Sequence, residues 1–468
     1  MRRLIKVIQS NIKLVVKLGS GFFADAYNLF VIDIVLSILG QLSESDPTGL
    51  GFSTSAKSWL ASVTSAGAII GMLLFGLVGD YIGRKIAVLC TGTLIAVGSI
   101  ASALCQRSES FPLVTQLVIC QAILGLGIGG EYPLSATLAS ETRSETSRSR
   151  VVAGVFSLQG FGMLFSCLLP LIFIKAGVSL ELTWRLSLGL GAIPALVALF
   201  FRVKMHTDPP VAHSNHSSWA LIKTMSRILV GCMLCWFLLD VAFYGTGEFK
   251  HAVRESTYAA GLDARETVLD TAIFGLITAS IALPGYLLTV VFIDRVGVGR
   301  LQLIGFFNMT VLYVAMGLSV QFFAPSWVNL MIFGITFLCA NFGPNATTFI
   351  IPSEVFPTQI RATCHGIAAA AGKAGAVVGG AGFPQAIAGV GLNGVMYICA
   401  SISVAGAVAT WIFLSPKLVD KLISAQTDAA TSSPHRVALE HTPTDPTLPA
   451  HVVSPSAPGS VTVGPTPS

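Results

Sequence analysis

Charge is what this chain has least of. Only 11% of its 468 residues are Asp, Glu, Lys or Arg, against about 25% in ordinary soluble domains. Hydrophobic residues make up 53%, and the mean hydropathy is +0.75. Such a balance argues against a soluble enzyme and for a chain that passes repeatedly through a bilayer. The net charge of +5 needs no nucleic acid partner, because membrane proteins gather Lys and Arg in cytoplasmic loops. The nine cysteines are scattered, mostly inside apolar runs, which leaves neither a disulfide framework nor a metal cluster. Cys232 and Cys235 form one CxxC among Leu and Met and read as packing. His213 and His216 stand in a polar stretch and read as solvated, while His365 reads as a structural or solvated loop residue. No metal and no cofactor is expected. The basic lead-in "MRRLIKVIQSNIKLVVK" lacks a small-residue cleavage site, so it is not expected to be removed.

Long apolar runs, by contrast, abound. A spanning helix needs about 20 such residues, and twelve runs qualify: roughly 14–41, 57–79, 86–106, 112–137, 151–174, 184–203, 227–247, 268–292, 301–322, 326–350, 363–390 and 393–415. With the amino terminus inside, Lys57, Arg107, Lys175, Arg185, Lys250, Arg254 and Arg265 fall outside and Lys373 falls within a span. The remaining Lys and Arg, Arg202 and Lys204 among them, then lie on the inner side, and the positive-inside rule predicts two cytoplasmic termini. The polar stretch 204–226 parts the runs six and six. The domains expected are therefore a bundle over 1–203, a cytoplasmic linker over 204–226, a second bundle over 227–424, and a disordered cytoplasmic tail over 425–468, rich in Ser, Thr and Pro.

The two halves repeat. Asp25 and Asp240 are 215 positions apart, each in the first run of its half. Asp80 and Asp294, Glu131 and Asn345, and Gln159 and Lys373 are each 214 apart. Glu141 and Glu354 are 213 apart, as are Arg148 and Arg361. A near-constant offset means a duplicated bundle, the layout of carriers whose site lies between the repeats.

With those residues in view, the chain resembles the major facilitator superfamily. "GLVGDYIGRK" (76–85), its weaker partner around Asp294 and Arg300, and the six-plus-six layout carry the likeness. Within it, "GFFADAYNLF" (21–30), "GIGGEYPLSAT" (127–137), "WFLLDVAFYG" (236–245) and "NFGPNATTFIIPSEVFPTQIRATCHG" (341–366) look like the phosphate:proton symporter family. The likeness covers nearly all of 15–415. It implies an all-α membrane protein of twelve helices in two pseudo-symmetric bundles.

An ionisable side chain at mid-bilayer costs about 2.5–3.5 kcal/mol on insertion scales, which makes each one a functional candidate. Asp25, Asp33, Glu131, Asp240 and Lys373 qualify. Asp240 has Trp236 four residues before it and Tyr244 four after, so the three share a helix face. Lys373 sits among small residues, where a lone cation attracts an anion or neutralises Asp240. The resemblance implies that Tyr132, Gln159, Trp236, Asp240, Tyr244, Asn345 and Lys373 coordinate phosphate. An ionised Asp240 could accept a hydroxyl proton of monobasic phosphate, which sulfate cannot offer.

For proton coupling, Asp25 and Glu131 are expected, with Asp33 either compensating or marking the outer mouth. Here the chain departs from the family it resembles: the usual second aspartate of the first helix is Asn28, and the usual aspartate before the tyrosine is Glu131. Asp80, Arg84, Glu141, Arg148, Asp294, Glu354 and Arg361 are expected at cytoplasmic helix ends, where paired charges would close a gate. The function expected is import of inorganic phosphate with protons by alternating access, without enzymatic chemistry, at the plasma membrane. Partners would be phosphate, protons and the lipid bilayer, with no nucleic acid. The rivals are the same scaffold carrying a glycerophosphodiester or other organic phosphate, sodium in place of the proton, and a phosphate sensor without flux.

Overall fold

A backbone in lipid must satisfy its own hydrogen bonds, and the chain does so with helices. The computed structural model describes residues 2–45, 52, 54–108, 110–142, 147–204, 215–246, 263–322 and 325–431, and among these there is no strand. The first half comprises α1 (Arg2–Ser45), α2 (Thr54–Tyr81), α3 (Arg84–Leu104), α4 (Leu113–Glu141), α5 (Arg148–Lys175), α6 (Leu180–Gly189) and α7 (Ala192–Val203). A short α8 (Asn215–Thr224) falls inside the expected linker, whose residues 205–214, with His213, lie outside the described ones. The second half comprises α9 (Ser226–Gly245), α10 (Ala264–Val296), α11 (Val298–Gln321), α12 (Ser326–Asn341), α13 (Pro344–Val355) and α14 (Arg361–Phe413). α15 (Pro416–Thr431) carries helix past position 425, where irregular chain is expected; residues 432–468 lie outside the described ones.

Among the described residues, eleven stretches are long and apolar enough to cross a membrane. The last, α14, holds two crossings, turned at Gly391, whose φ of 74° suits only glycine. That makes twelve. Two crossings are themselves broken: α6 and α7 meet at Leu190 and Gly191, and α12 and α13 meet at Phe342 and Gly343. Pro344 opens α13, where its missing N–H is no loss, and so places Asn345 in the first turn of a fresh helix.

Close packing replaces the hydrophobic drive that lipid removes, and small residues permit it. The glycines of "GLGIGGEYPLS" show how. A Cβ on Gly125 would lie 2.3 Å from Thr64 O, and one on Gly129 would lie 2.0 Å from Ala68 O, so α4 and α2 touch backbone to backbone. Leu73, Val97, Phe200, Val291, Phe307 and Trp411 face outward and are exposed, as lipid-facing side chains are.

Candidate functional site: a buried polar cavity between the halves

All seven residues expected to coordinate substrate line one cavity. Tyr132 and Gln159 reach it from the first half, and Trp236, Asp240, Tyr244, Asn345 and Lys373 from the second, with Met72, Phe156 and Ala369 completing the wall. Its volume is about 10 Å³, room for about one water, so the walls must part to admit a tetrahedral oxyanion.

The helical period explains most of this convergence. On α9, Trp236, Asp240 and Tyr244 follow one another at one-turn intervals, and all lie against the first arm of α14. Gly372 makes room: a Cβ there would sit 2.4 Å from Trp236 Cδ1, so only hydrogen lets the indole lie beside Lys373. Lys373 Nζ donates to Tyr244 Oη at 2.8 Å and lies 4.4 Å from that ring's centre and 5.6 Å from Tyr132's. The π faces help to replace the water its ammonium has lost. Asp240 lines the same cavity, and the direct contacts of the ammonium are with the aromatics.

The neutral pair is organised by a residue that sequence reasoning missed. Tyr286 Oη, from α10, accepts from Gln159 Nε2 and from Asn345 Nδ2, each at 3.2 Å. Asn345 also donates to Asn341 Oδ1 at 2.7 Å, whereas Gln159 Oε1 is buried with no hydrogen-bond partner. The signal was a polar aromatic within an apolar run, directly after Pro284 and Gly285.

Expected proton-coupling residues separate. Asp25 is 1% exposed, and neither carboxyl oxygen has a hydrogen-bond partner. Glu131 is wholly buried and ion-paired with Arg202: the guanidinium donates through Nη1 to Oε2 at 2.9 Å and through Nη2 to Oε1. Thr91 Oγ1 and Ser135 Oγ add bonds of 3.2 and 2.5 Å to the same carboxylate. Arg202, expected among the inner loop charges, is thus 3% exposed within the first bundle, a correction the charge count could not foresee. Gly21, one turn before Asp25, admits the pair; a Cβ there would meet both Glu131 Oε1 and Arg202 Nη2 at 2.2 Å. Asp33 lies two turns beyond Asp25 and is exposed.

Asn28 is fully engaged. Its Nδ2 donates to Ala24 O at 2.9 Å and to Gly191 O, the carbonyl at the α6–α7 break, at 3.3 Å. Ser99 Oγ donates to its Oδ1 at 3.0 Å. An ionised aspartate has no N–H to offer either carbonyl. The departure from the family's residue therefore has a structural role: the amide joins α1 to the broken sixth crossing. His365 is also corrected. It lies within α14, wholly buried, with Nε2 3.0 Å from Phe349 O and its ring edge-on to Trp236 and Phe349.

The expected gate residues gather at the face where α1 begins, in two groups. Arg84 pairs with Asp80 at 2.6 Å and Glu141 at 3.1 Å and donates to Thr358 O at 2.9 Å, while Arg361 reaches Glu141 at 3.2 Å. Asp80 also accepts from the backbone N–H of Ala362 at 3.2 Å and Thr363 at 2.7 Å. An acid of the first half thus caps the amino end of α14 in the second. In the second group Asp294 pairs with Arg150 at 2.6 Å, and Glu354 accepts from Ser149 Oγ at 2.7 Å. Arg148, expected in this network, keeps a buried Nη1 without a hydrogen-bond partner, and the unforeseen Arg150 holds the acid instead. Arg300 turns to Asp420 at 3.5 Å.

Comparison with known proteins follows the same lines. The family model of the Major Facilitator Superfamily matches residues 18–380. Inorganic phosphate transporter 1-2 of Oryza sativa subsp. japonica is 34% identical, over 84% of this chain and 89% of its own. Low affinity inorganic phosphate transporter 4 of Medicago truncatula is 32% identical, over 78% and 81%. Among solved structures, a double-tryptophan variant of XylE superposes with a TM-score of 0.70 at 19% identity, over 90% of this chain and 99% of that one. The proton:xylose symporter XylE bound to a bromodeoxyglucose gives 0.68 at 21% identity, over 88% and 98%. This chain is a multi-pass membrane protein of the major facilitator superfamily, and it belongs there to the family of inorganic phosphate transporters.

Proposed function

We propose that this protein carries inorganic phosphate into the cell together with protons, by alternating access of a single site between its two halves. The observation that carries the reading is the cavity itself. A buried ammonium, three donor-bearing aromatics counting Tyr132, two amides and one carboxylate converge from both halves on one small space. That set matches monobasic phosphate: Lys373, the tyrosine hydroxyls, Trp236 and the amides donate to its oxygens, and Asp240 accepts from a phosphate hydroxyl. Sulfate would set a full negative charge against Asp240 with no proton between them. The names of the relatives point the same way.

Asp25 and Glu131, in the first half beside the cavity, form the proton-handling pocket, and Asp33 marks the outer mouth. The ion pairs at the face where α1 begins act as the cytoplasmic gate, with both termini on that side and the protein in the plasma membrane. Transport of this kind makes and breaks no covalent bond, so the reading is a carrier and not an enzyme. It rests on the bundles being 1–203 and 227–424, hinged through 204–226.

Uptake of labelled phosphate into proteoliposomes of the full chain tests this. Concentrative uptake under an imposed proton gradient, unaffected by sodium or excess sulfate, is expected. Stronger competition by a glycerophosphodiester than by phosphate would make the substrate an organic phosphate. A sodium requirement would replace the proton, and binding without flux under any gradient would leave a sensor.

A further inference from the structure

One hydroxyl outside the cavity wall holds both amides that line it. Resting on the reading above, we propose that Tyr286 Oη stands in for a phosphate oxygen during the unloaded half of the cycle. It accepts the N–H groups of Gln159 and Asn345, and so lets the halves close on each other and return without substrate. Tyr286 is 1% exposed, belongs to α10 in the second half, and does not line the cavity. A single stripe of α5 in the first half receives it. Phe156, Gln159, Gly160 and Met163 stand at i, i+3, i+4 and i+7, and all four meet this one side chain. The ring centre lies 5.7 Å from that of Phe156, and a Cβ on Gly160 would come 2.7 Å from Tyr286 Cδ2. The hydroxyl is saturated. Its proton goes to Met163 Sδ at 3.6 Å, and its two lone pairs take Gln159 Nε2 and Asn345 Nδ2 at 3.2 Å each.

Hydrogen counts show what phosphate must displace. Asn345 Nδ2 carries two hydrogens, one held by Tyr286 and the other by Asn341 Oδ1 at 2.7 Å. Asn341 is fixed in that sense, because its own Nδ2 donates to Ala282 O at 3.1 Å. Asn345 therefore has no N–H for an anion until one of these acceptors gives it up, whereas Gln159 keeps a second hydrogen. With these bonds made, the cavity has room for about one water, too little for phosphate, so this bonding belongs to the unloaded form. Phosphate exchanges a neutral acceptor for an anionic one, and bonds to an anion are roughly twice as strong. The trade thus runs toward the substrate on binding, and the amides fall back on Tyr286 when phosphate leaves. Without that oxygen, Gln159 and Asn345 would each bury a hydrogen with no acceptor whenever the unloaded halves closed. Lys373 is served in the same manner, its Nζ donating to Tyr244 Oη at 2.8 Å.

Tyr286 is a positioning residue in this scheme, acting through the two amides. Its test rests on a difference between two transport modes. Net uptake needs both the loaded and the unloaded crossing, whereas exchange of internal for external phosphate needs only the loaded one. Tyr286→Phe keeps the ring between Phe156 and Gly160 and removes only the acceptor. Proteoliposomes of the full chain, with labelled phosphate as tracer, read both modes. Net uptake driven by a proton gradient should fall roughly tenfold, the scale of stranding buried amide hydrogens, while exchange stays within about twofold of the unaltered protein. Equal losses in both modes would mean that the hydroxyl serves the loaded site or the packing alone, and would overturn the inference. Unchanged net uptake would overturn it too. Neither uptake nor exchange by the unaltered protein would overturn the carrier reading, and this inference with it. Should the Phe variant fail to fold, meta-fluorotyrosine placed at position 286 alone reports on the hydroxyl. Its fluorine resonance should shift and saturate as phosphate is added, and a resonance unmoved at saturating phosphate would overturn the exchange of partners.

Discussion

The two halves descend from one pattern, yet corresponding positions now do different things. Gln159 and Lys373 both line the cavity, one as a neutral donor and one as a cation. Asn345 lines it as well, but its counterpart Glu131 has turned back into its own bundle to meet Arg202. Asp25 sits with bare oxygens, while its counterpart Asp240 faces the cavity between Trp236 and Tyr244. Duplication supplied a symmetric frame, and division of labour followed by changing which side chains look inward. On our reading the second half grips the anion and the first half meters the proton.

That contrast can be broken most sharply in the second half. Lys373→Met removes the cavity's cation, and phosphate uptake should fall about 100-fold or more, the scale for deleting one member of a buried charge-assisted contact. Tracer uptake would show it, and near-normal rates would mean the anion is gripped elsewhere. Next in size is a comparison of counterparts. Glu131→Gln strands Arg202 and should cost about 3–5 kcal/mol of stability, whereas Asn345→Ala should weaken phosphate binding with little loss of melting temperature. Adding Arg202→Met to Glu131→Gln should recover much of the stability; thermal unfolding in detergent would read all three variants. A smaller effect should follow Gly372→Ala, whose methyl meets Trp236, and a roughly tenfold weaker phosphate affinity is expected from about 1–3 kcal/mol of overpacking. Smallest is Arg150→Ala. Its pair with Asp294 is partly solvated, so a change of only about 0.2–1 kcal/mol in gate closure is expected. Arg84→Ala, which cuts into a more buried cluster, should do more; cytoplasmic-side thiol labelling near the gate would compare them.

Much of this was legible in the chain beforehand. Twelve apolar runs and a 214-residue offset yield the bundles, because span length and duplication are one-dimensional properties. The cavity was legible for the same reason: Trp236, Asp240 and Tyr244 share a helix face by count alone, and the repeat brings Gln159 and Lys373 to matching depth. What could not be read was pairing across distance. Arg202 stands one residue from the end of its helix in "LFFRVK", where a basic residue ordinarily meets water, and its partner is 71 residues away. Asn28 reads as a lost acid until the break at Gly191 shows the carbonyl it serves. His365 passes for a loop residue because "FPTQIRATCHG" looks like a turn, whereas α14 already begins at Arg361. The choice of Arg150 over Arg148 as the partner of Asp294 depends on a rotation about α5 that no spacing records.

On our reading, the capping of α14 by Asp80 is part of the gate. Asp80 belongs to the first half, yet the two N–H groups it holds begin a helix of the second. Whenever the halves part on that face, the helix loses its cap and those amides are bared to water. Opening is thereby tied to fraying of a helix end, so the energy that holds the gate shut is in part the energy of finishing a fold. The amide protons of Ala362 and Thr363 become a clock: their exchange with deuterated solvent should count how often the carrier turns inward, without any label or substrate.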